Sequence, residues 1–360
     1  MESHLILNVL LALAPVLVLL AGFLWLDVLH LLSPRSIVLL LVMGAAAAAL
    51  SYPASGRVLD ALPMGFSTYS RFVAPWVEEA IKGGAIVWLF LRNRVGYKID
   101  AALSGLAIGA GFAIAENLFY LVRVDDMSPG MWLVRGAGTA VMHAGTAAIM
   151  ASLSHQLNER GLLAHAGDWK FHISAFVPGF VLASLLHSLF NQFPERPVVA
   201  MLTTIVVVPI IVIAVFRYGA REASHFLDVE REEHIADQAA LEAGQWPDSE
   251  CGSRLREYVA SRPDADTFGA QVIAYWRALG ELVLSAESRM VERANGHRTD
   301  PQADADRAQF AVVAGIERDM NHPSLRTVKR LLPFSRNDLW AIGELREQLH
   351  HSPGHSAQKP

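Results

Sequence analysis

At 360 residues and a formal charge of −5, with 52% hydrophobic side chains and a mean hydropathy of +0.31, the chain has room for two domains but is too apolar for an average soluble protein. Its single cysteine, Cys251, excludes an intramolecular disulfide and a cysteine-built zinc site, and with no basic cluster beyond Arg326, Lys329 and Arg330 it lacks the electrostatic footprint of a nucleic-acid binder. Lys plus Arg number 13 up to Arg217 and 17 beyond it, Asp plus Glu 12 and 23, so a nearly neutral apolar part precedes an acidic, polar one.

The opening MESHLILNVLLALAPVLVLLAGFLWL has no basic n-region and an apolar run long enough to span, so it reads as an uncleaved anchor. Apolar runs of about 17 to 25 residues predict seven membrane helices, at 4–26, 37–52, 72–91, 101–122, 132–153, 173–193 and 198–216. With the acidic part cytoplasmic and the N-terminus outside, the inner flanks hold Arg35, Arg92, Arg94, Lys98, Arg160, Lys170, Arg217 and Arg221. The outer flanks hold only Arg57, Arg71, Arg123, Arg135 and Arg196. After residue 217 the pattern changes. Phe268, Val272, Trp276, Leu279, Val283, Ala286 and Met290 recur in steps of four and three, one apolar stripe on a long helix with Asp266 as N-cap and Gly296 as its stop. The fold expected is all-α: a polytopic transmembrane bundle over 1–217, a soluble cytoplasmic helical domain over 218–350, and a disordered end in HHSPGHSAQKP, with 351–360 as its own segment.

Four neighbouring spans carry groups that a bilayer resists. FVAPWVEEAIKGGAIVWLFL holds Glu78, Glu79 and Lys82; GFAIAEN brings Glu116 and Asn117; the next spans bring His143, then His187 and Asn191. Each charge costs about 2.5–3.5 kcal/mol near a helix centre, against about −0.3 to −0.6 gained by each strongly apolar residue, so these helices must cover one another or face a wet cavity. Glu78, Glu116 and His187 each lie six residues from the outer end of their span, roughly 9 Å deep at 1.5 Å per residue, and His143 lies nearer the midplane. Glu78 and Lys82, four apart, are expected to pair and leave Glu79 pointing elsewhere; Asn191, four after His187, is expected to extend its face. Gly105, Gly109, Gly136, Gly138 and Gly145 allow close backbone approach around the cluster. His155, His165 and His172 read as surface loop residues.

Carboxylates and histidines in one recess suit amide hydrolysis. Either a glutamate deprotonates water while a histidine or asparagine donates to the oxyanion, or Glu and His ligate a zinc that acidifies water. No HExxH is present. An ion-coupled transporter or a catalytically silent receptor or scaffold would bury the same groups, although a transporter should show repeats and polar groups in both membrane halves.

The motifs carry a resemblance. VEEAIK at 77–82 resembles the EExxK motif, GFAIAEN at 111–117 the FxxxEN motif, and His143 and His187 the later histidines of the PrsW-type intramembrane proteases, relatives of the CAAX prenyl endopeptidases. The resemblance implies a peptidase of the bacterial cytoplasmic membrane that cuts membrane-anchored proteins near the extracytoplasmic face, an anti-sigma factor in the family's prototype, with a divalent metal such as zinc. It assigns Glu78, Glu79, Glu116, His143 and His187 to the active site, with Lys82, Asn117 and Asn191 in support. Glu78 or Glu79 would be the base for water, and Glu116, His143 and His187 metal ligands or donors. Lys82 follows the paired glutamates after two residues, and Glu116 stands where CAAX enzymes carry histidine, which argues against prenyl-peptide processing.

Overall fold

The computed structural model describes residues 2–25, 32–124, 127–162, 172–192, 196–294 and 303–351. Among these every regular element is helical, as expected. The helices are α1 (Glu2–Trp25), α2 (Pro34–Ala61), α3 (Phe66–Phe72), α4 (Ala74–Leu91), α5 (Lys98–Arg123), α6 (Pro129–Leu133) and α7 (Ala140–Leu162), then α8 (Val177–Asn191), α9 (Pro197–Glu242), α10 (Glu250–Ala260), α11 (Ala265–Ala294), α12 (Ala303–Asp319), α13 (His322–Leu331) and α14 (Arg336–His351). A π-helical segment, Val134–Thr139, joins α6 to α7, and a 3-10 turn, Ile173–Phe176, leads into α8. They form two compact units, Met1–Asn158 with Phe171–Arg221, and Glu159–Lys170 with Glu222–Pro360.

Helix α5 is the axis of the first unit. From Lys98 to Ala113 every side chain is buried, an all-round burial that only a helix enclosed by others can have. Small residues make the enclosure tight. A Cβ on Gly105 would stand 2.4 Å from the Ala147 carbonyl oxygen and one on Gly109 2.2 Å from that of His143, so α7 lies directly on that face. On the α2 side Gly44 and Gly111 play the same part against Ile108 and Leu41. Helices α1, α2, α8 and α9 turn apolar side chains outward instead, among them Leu10, Val18, Val42, Leu50, Leu189, Val206 and Ile210. A belt of that kind suits lipid and not water.

Among the described residues four helices are long and apolar enough to cross a membrane, Pro34–Ala61, Lys98–Arg123, Ile173–Asn191 and Pro197–Ala214, and Ile6–Gly22 is a shorter apolar stretch. The two other expected spans, in α4 and α7, are helical but do not meet this measure, because α4 carries Glu78, Glu79 and Lys82 and α7 buries His143, Thr146, Ser152, Ser154, His155 and Asn158. Two expectations are corrected. Helix α2 runs well past residue 52, started by Ser33, whose hydroxyl accepts from the Ser36 N–H, and by Pro34 in its first turn. Helix α7 runs past 153, so His155 is not a surface residue: it is buried against Phe90 with its Nε2 3.0 Å from the Gly96 carbonyl oxygen. His172 is exposed, as expected.

In the second unit the expected stripe is core: Phe268, Val272, Trp276, Leu279, Val283, Ala286 and Met290 are all buried. Asp266 is not the cap but lies in the first turn of α11, where its charge still favours the N-terminal dipole. Tyr275 donates to Glu317 Oε1 at 2.7 Å, where Lys329 Nζ also sits at 2.7 Å. Burial alone would raise the Glu317 carboxyl, but Lys329 and Tyr275 hold it below the usual carboxylate range. Helix α14 takes in His351, so the first residues of the stretch read as disordered are helical. Its residues from 352 on, the span limits at 26 and 193, Gly296 and His165 lie outside the described residues.

The close contact of α5 with α7 is testable. Gly109→Ala should lower the Tm of the detergent-solubilised protein, by the equivalent of about 1–3 kcal/mol. Gly56→Ala, whose Cβ would meet nothing within 4 Å, should leave it unchanged or raise it. Equal effects of the two would refute the packing.

Candidate active site

Helices α4, α5, α7 and α8 bring the expected polar residues into one cluster. Its centre is Glu79, with no solvent exposure. Glu79 Oε1 accepts from Lys82 Nζ at 2.6 Å, His187 Nδ1 at 2.9 Å and Thr146 Oγ1 at 3.1 Å. A buried carboxylate is tolerable only when donors replace its water, and here three helices supply them. Lys82, equally sealed, pairs with Glu79 and not with Glu78 as expected, because an i,i+3 step brings two helical residues together as readily as i,i+4.

The Lys82 Nζ also lies 2.9 Å from His143 Nδ1 and 4.6 Å from the centre of the Phe112 ring. An ammonium only donates, so His143 Nδ1 accepts, and its Nε2–H donates to Glu116 Oε2 at 3.1 Å. The other Glu116 oxygen meets Arg135 Nη2 at 3.1 Å, and the Arg135 guanidinium lies 3.6 Å over the Tyr120 ring. His187, holding its Nδ1–H on Glu79, presents Nε2 toward Glu78 Oε2 at 3.8 Å. The two imidazoles meet edge to face, centroids 4.8 Å apart. Glu78 and Glu116 keep 18% and 23% of their side chains exposed, so they are the acids of this cluster that protein does not fully enclose.

Glu78, His143 and His187 each offer a ligand atom, all within 4.8 Å of one another. Glu116, expected with His143 and His187 as a ligand, is hydrogen-bonded to His143 and paired with Arg135. The donor set suits a zinc-class ion. His187 is ready for it, since a carboxylate on one imidazole nitrogen is the usual way to aim the other at a metal. His143 would join only by giving up the hydrogen bond that its ligating nitrogen makes here, to Lys82 or to Glu116. The two supporting asparagines lie elsewhere. Asn117 donates to the Ala12 carbonyl oxygen at 2.9 Å and Asn191 to that of Ser70 at 2.9 Å, so they tie helices together and leave the imidazoles alone.

Sequence reasoning missed Arg135 and Thr146. Thr146 was legible, three residues after His143 on the same helix face. Arg135 was counted as a flank charge, and nothing in its neighbourhood signals the π-helical turn that carries it. Such turns are frequent at functional sites.

The description "PrsW family intramembrane metalloprotease" matches residues 15–216, more than half of the chain and all of the cluster. The chain belongs to the PrsW family. The match supports a membrane-embedded hydrolase with a metal requirement and a membrane-protein substrate. Comparison with curated proteins and with solved structures returned no match. The part of the second unit from residue 222 on lies beyond the PrsW match.

The position of Glu79 leads to a specific expectation for this PrsW protein. Glu79→Gln should weaken metal affinity about 10–100-fold by loosening His187, leaving cleavage restorable with excess zinc. Metal titrations of the detergent-solubilised variant check this, and an unchanged metal requirement would remove Glu79 from that role.

Proposed function

We propose that this protein is an intramembrane endopeptidase that hydrolyses peptide bonds of membrane-anchored proteins near the extracytoplasmic face, as in regulated release of an anti-sigma factor or a similar signalling protein. The observation that carries the reading is the convergence of Glu78, His143 and His187 from three helices. In this reading the chain crosses the bacterial cytoplasmic membrane seven times, N-terminus outside, and 218–350 is a soluble cytoplasmic domain. The excess of Arg and Lys on the inner flanks supports that orientation.

Glu78, His143 and His187 would hold a metal ion, whose Lewis acidity would let water deprotonate near neutral pH. Glu116 is the general base. It is the acid of the cluster that keeps exposed surface and lies outside the ligand set, held between His143 and Arg135 with lone pairs left to accept a proton from the attacking water. Arg135 keeps the other Glu116 oxygen in place, so the carboxylate stays aimed at the cluster. The proton then passes from Glu116 to the departing amine nitrogen as the C–N bond breaks. Glu79, sealed from water, serves as a positioning group: it fixes the His187 tautomer and neutralises Lys82.

The test compares new N-termini of membrane proteins in cells carrying wild type, Glu116→Ala or Glu78→Ala at equal expression. Loss of the general base should slow cleavage by about 10²–10⁴-fold, so wild-type-specific fragments should vanish in Glu116→Ala. Identical fragment sets in wild type and both variants would sink the proteolytic reading.

A further inference from the structure

A second cluster of metal-binding type lies in the second unit, at positions outside the range of the PrsW match. His234 of α9, Glu287 of α11 and Asp338 of α14 are all buried, with relative exposures of 8%, 2% and 3%, and their ligand atoms lie within 4.8 Å of one another. We propose that these three residues bind a structural zinc-class divalent cation that ties α9, α11 and α14 together.

The spacing fits a shared cation. His234 Nδ1 lies 3.1 Å from Glu287 Oε1, near the roughly 3.4 Å between two ligand atoms on a tetrahedral ion with bonds of about 2.0–2.2 Å, and the ligand atoms of all three residues lie within 4.8 Å of one another. Bound through Nδ1, the cation would take the place of the imidazole proton that otherwise joins His234 to Glu287. Glu287 supplies the independent sign: its Oε2 is buried with no hydrogen-bond partner, a costly state for a carboxylate oxygen and one that a cation relieves.

The frame around the cluster is rigid. Ser335 and Asp338 form a reciprocal cap at the start of α14, the Ser335 N–H donating to Asp338 Oδ2 at 2.7 Å and the Asp338 N–H to Ser335 Oγ at 3.2 Å. The Phe334 ring packs against the imidazole, centroids 5.8 Å apart, and shields one side. One imidazole nitrogen and carboxylate oxygens, with no thiolate, match zinc, iron(II) or manganese(II) and not a soft ion such as copper(I). No carboxylate or imidazole of this cluster is open to solvent. The ion's part is therefore structural.

The test uses the full chain in detergent and begins from His187→Ala, which disables the active-site ligand set and so separates this proposal from the metalloprotease reading. After removal of loose metal, His187→Ala should retain one zinc per chain by elemental analysis, and its Tm should fall with a chelator and recover with zinc. Adding Glu287→Gln or His234→Gln should abolish both the metal and the chelator sensitivity. Cobalt(II) added to metal-free His187→Ala should give the visible absorption of a low-symmetry nitrogen and oxygen site, a reading that needs no second variant to fold. A metal-free His187→Ala that stays indifferent to zinc and cobalt, or metal retained equally when Glu287 is replaced, would overturn the proposal in favour of an imidazolium bridging two carboxylates.

Discussion

One carboxylate oxygen organises the first unit. Glu79 Oε1 has no access to water, and its donors come from α4, α7 and α8. Removing one partner of a buried charge costs far more than the pair gains, typically about 3–5 kcal/mol. These helices are therefore held in register by the cost of separating them more than by the attraction between the charges. The position of His187 follows from the same requirement, and through Lys82 so does the tautomer of His143.

That constraint also explains why α5 has so many small residues. Lys82 and His143 meet directly beside the Phe112 ring, which α5 contributes, and α7 lies almost in backbone contact with α5. Gly105 and Gly109 are the residues that allow it. The stripe of glycine and alanine in ALSGLAIGAGFA is the steric counterpart of the polar cluster one turn away.

Much of this was legible in the chain. Glu78, Glu79, Lys82, Glu116, His143 and His187 stand out because a bilayer penalises each of them, and groups that share a penalty tend to share a location. What sequence periodicity could not rank was the choice between i,i+3 and i,i+4 neighbours, so Lys82 was expected on Glu78. Nor could it separate a polar residue that enters the cluster from one that fastens a backbone carbonyl nearby, and Asn117 and Asn191 fall in the second class. Helix ends were misjudged where polar residues continue a helix beyond its apolar run, as at His155, since hydrophobicity reports the environment of a helix and not its length. In the second unit the stripe from Phe268 to Met290 was plain from its period, whereas His234, Glu287 and Asp338 come together from distant positions that share no local pattern.

The turn at Val134–Thr139 sets how Arg135 reaches Glu116. A π-helical turn holds one residue more than an α-helical turn, so the helix upstream of it is out of phase with α7 by about 100°, the rotation of a single α-helical residue. Arg135 and His143 hold the two oxygens of one carboxylate only because of that offset. The inserted residue works as a gear tooth between α6 and α7: losing it would leave the composition of the segment nearly unchanged, yet turn the guanidinium a quarter of the way round the helix and away from Glu116.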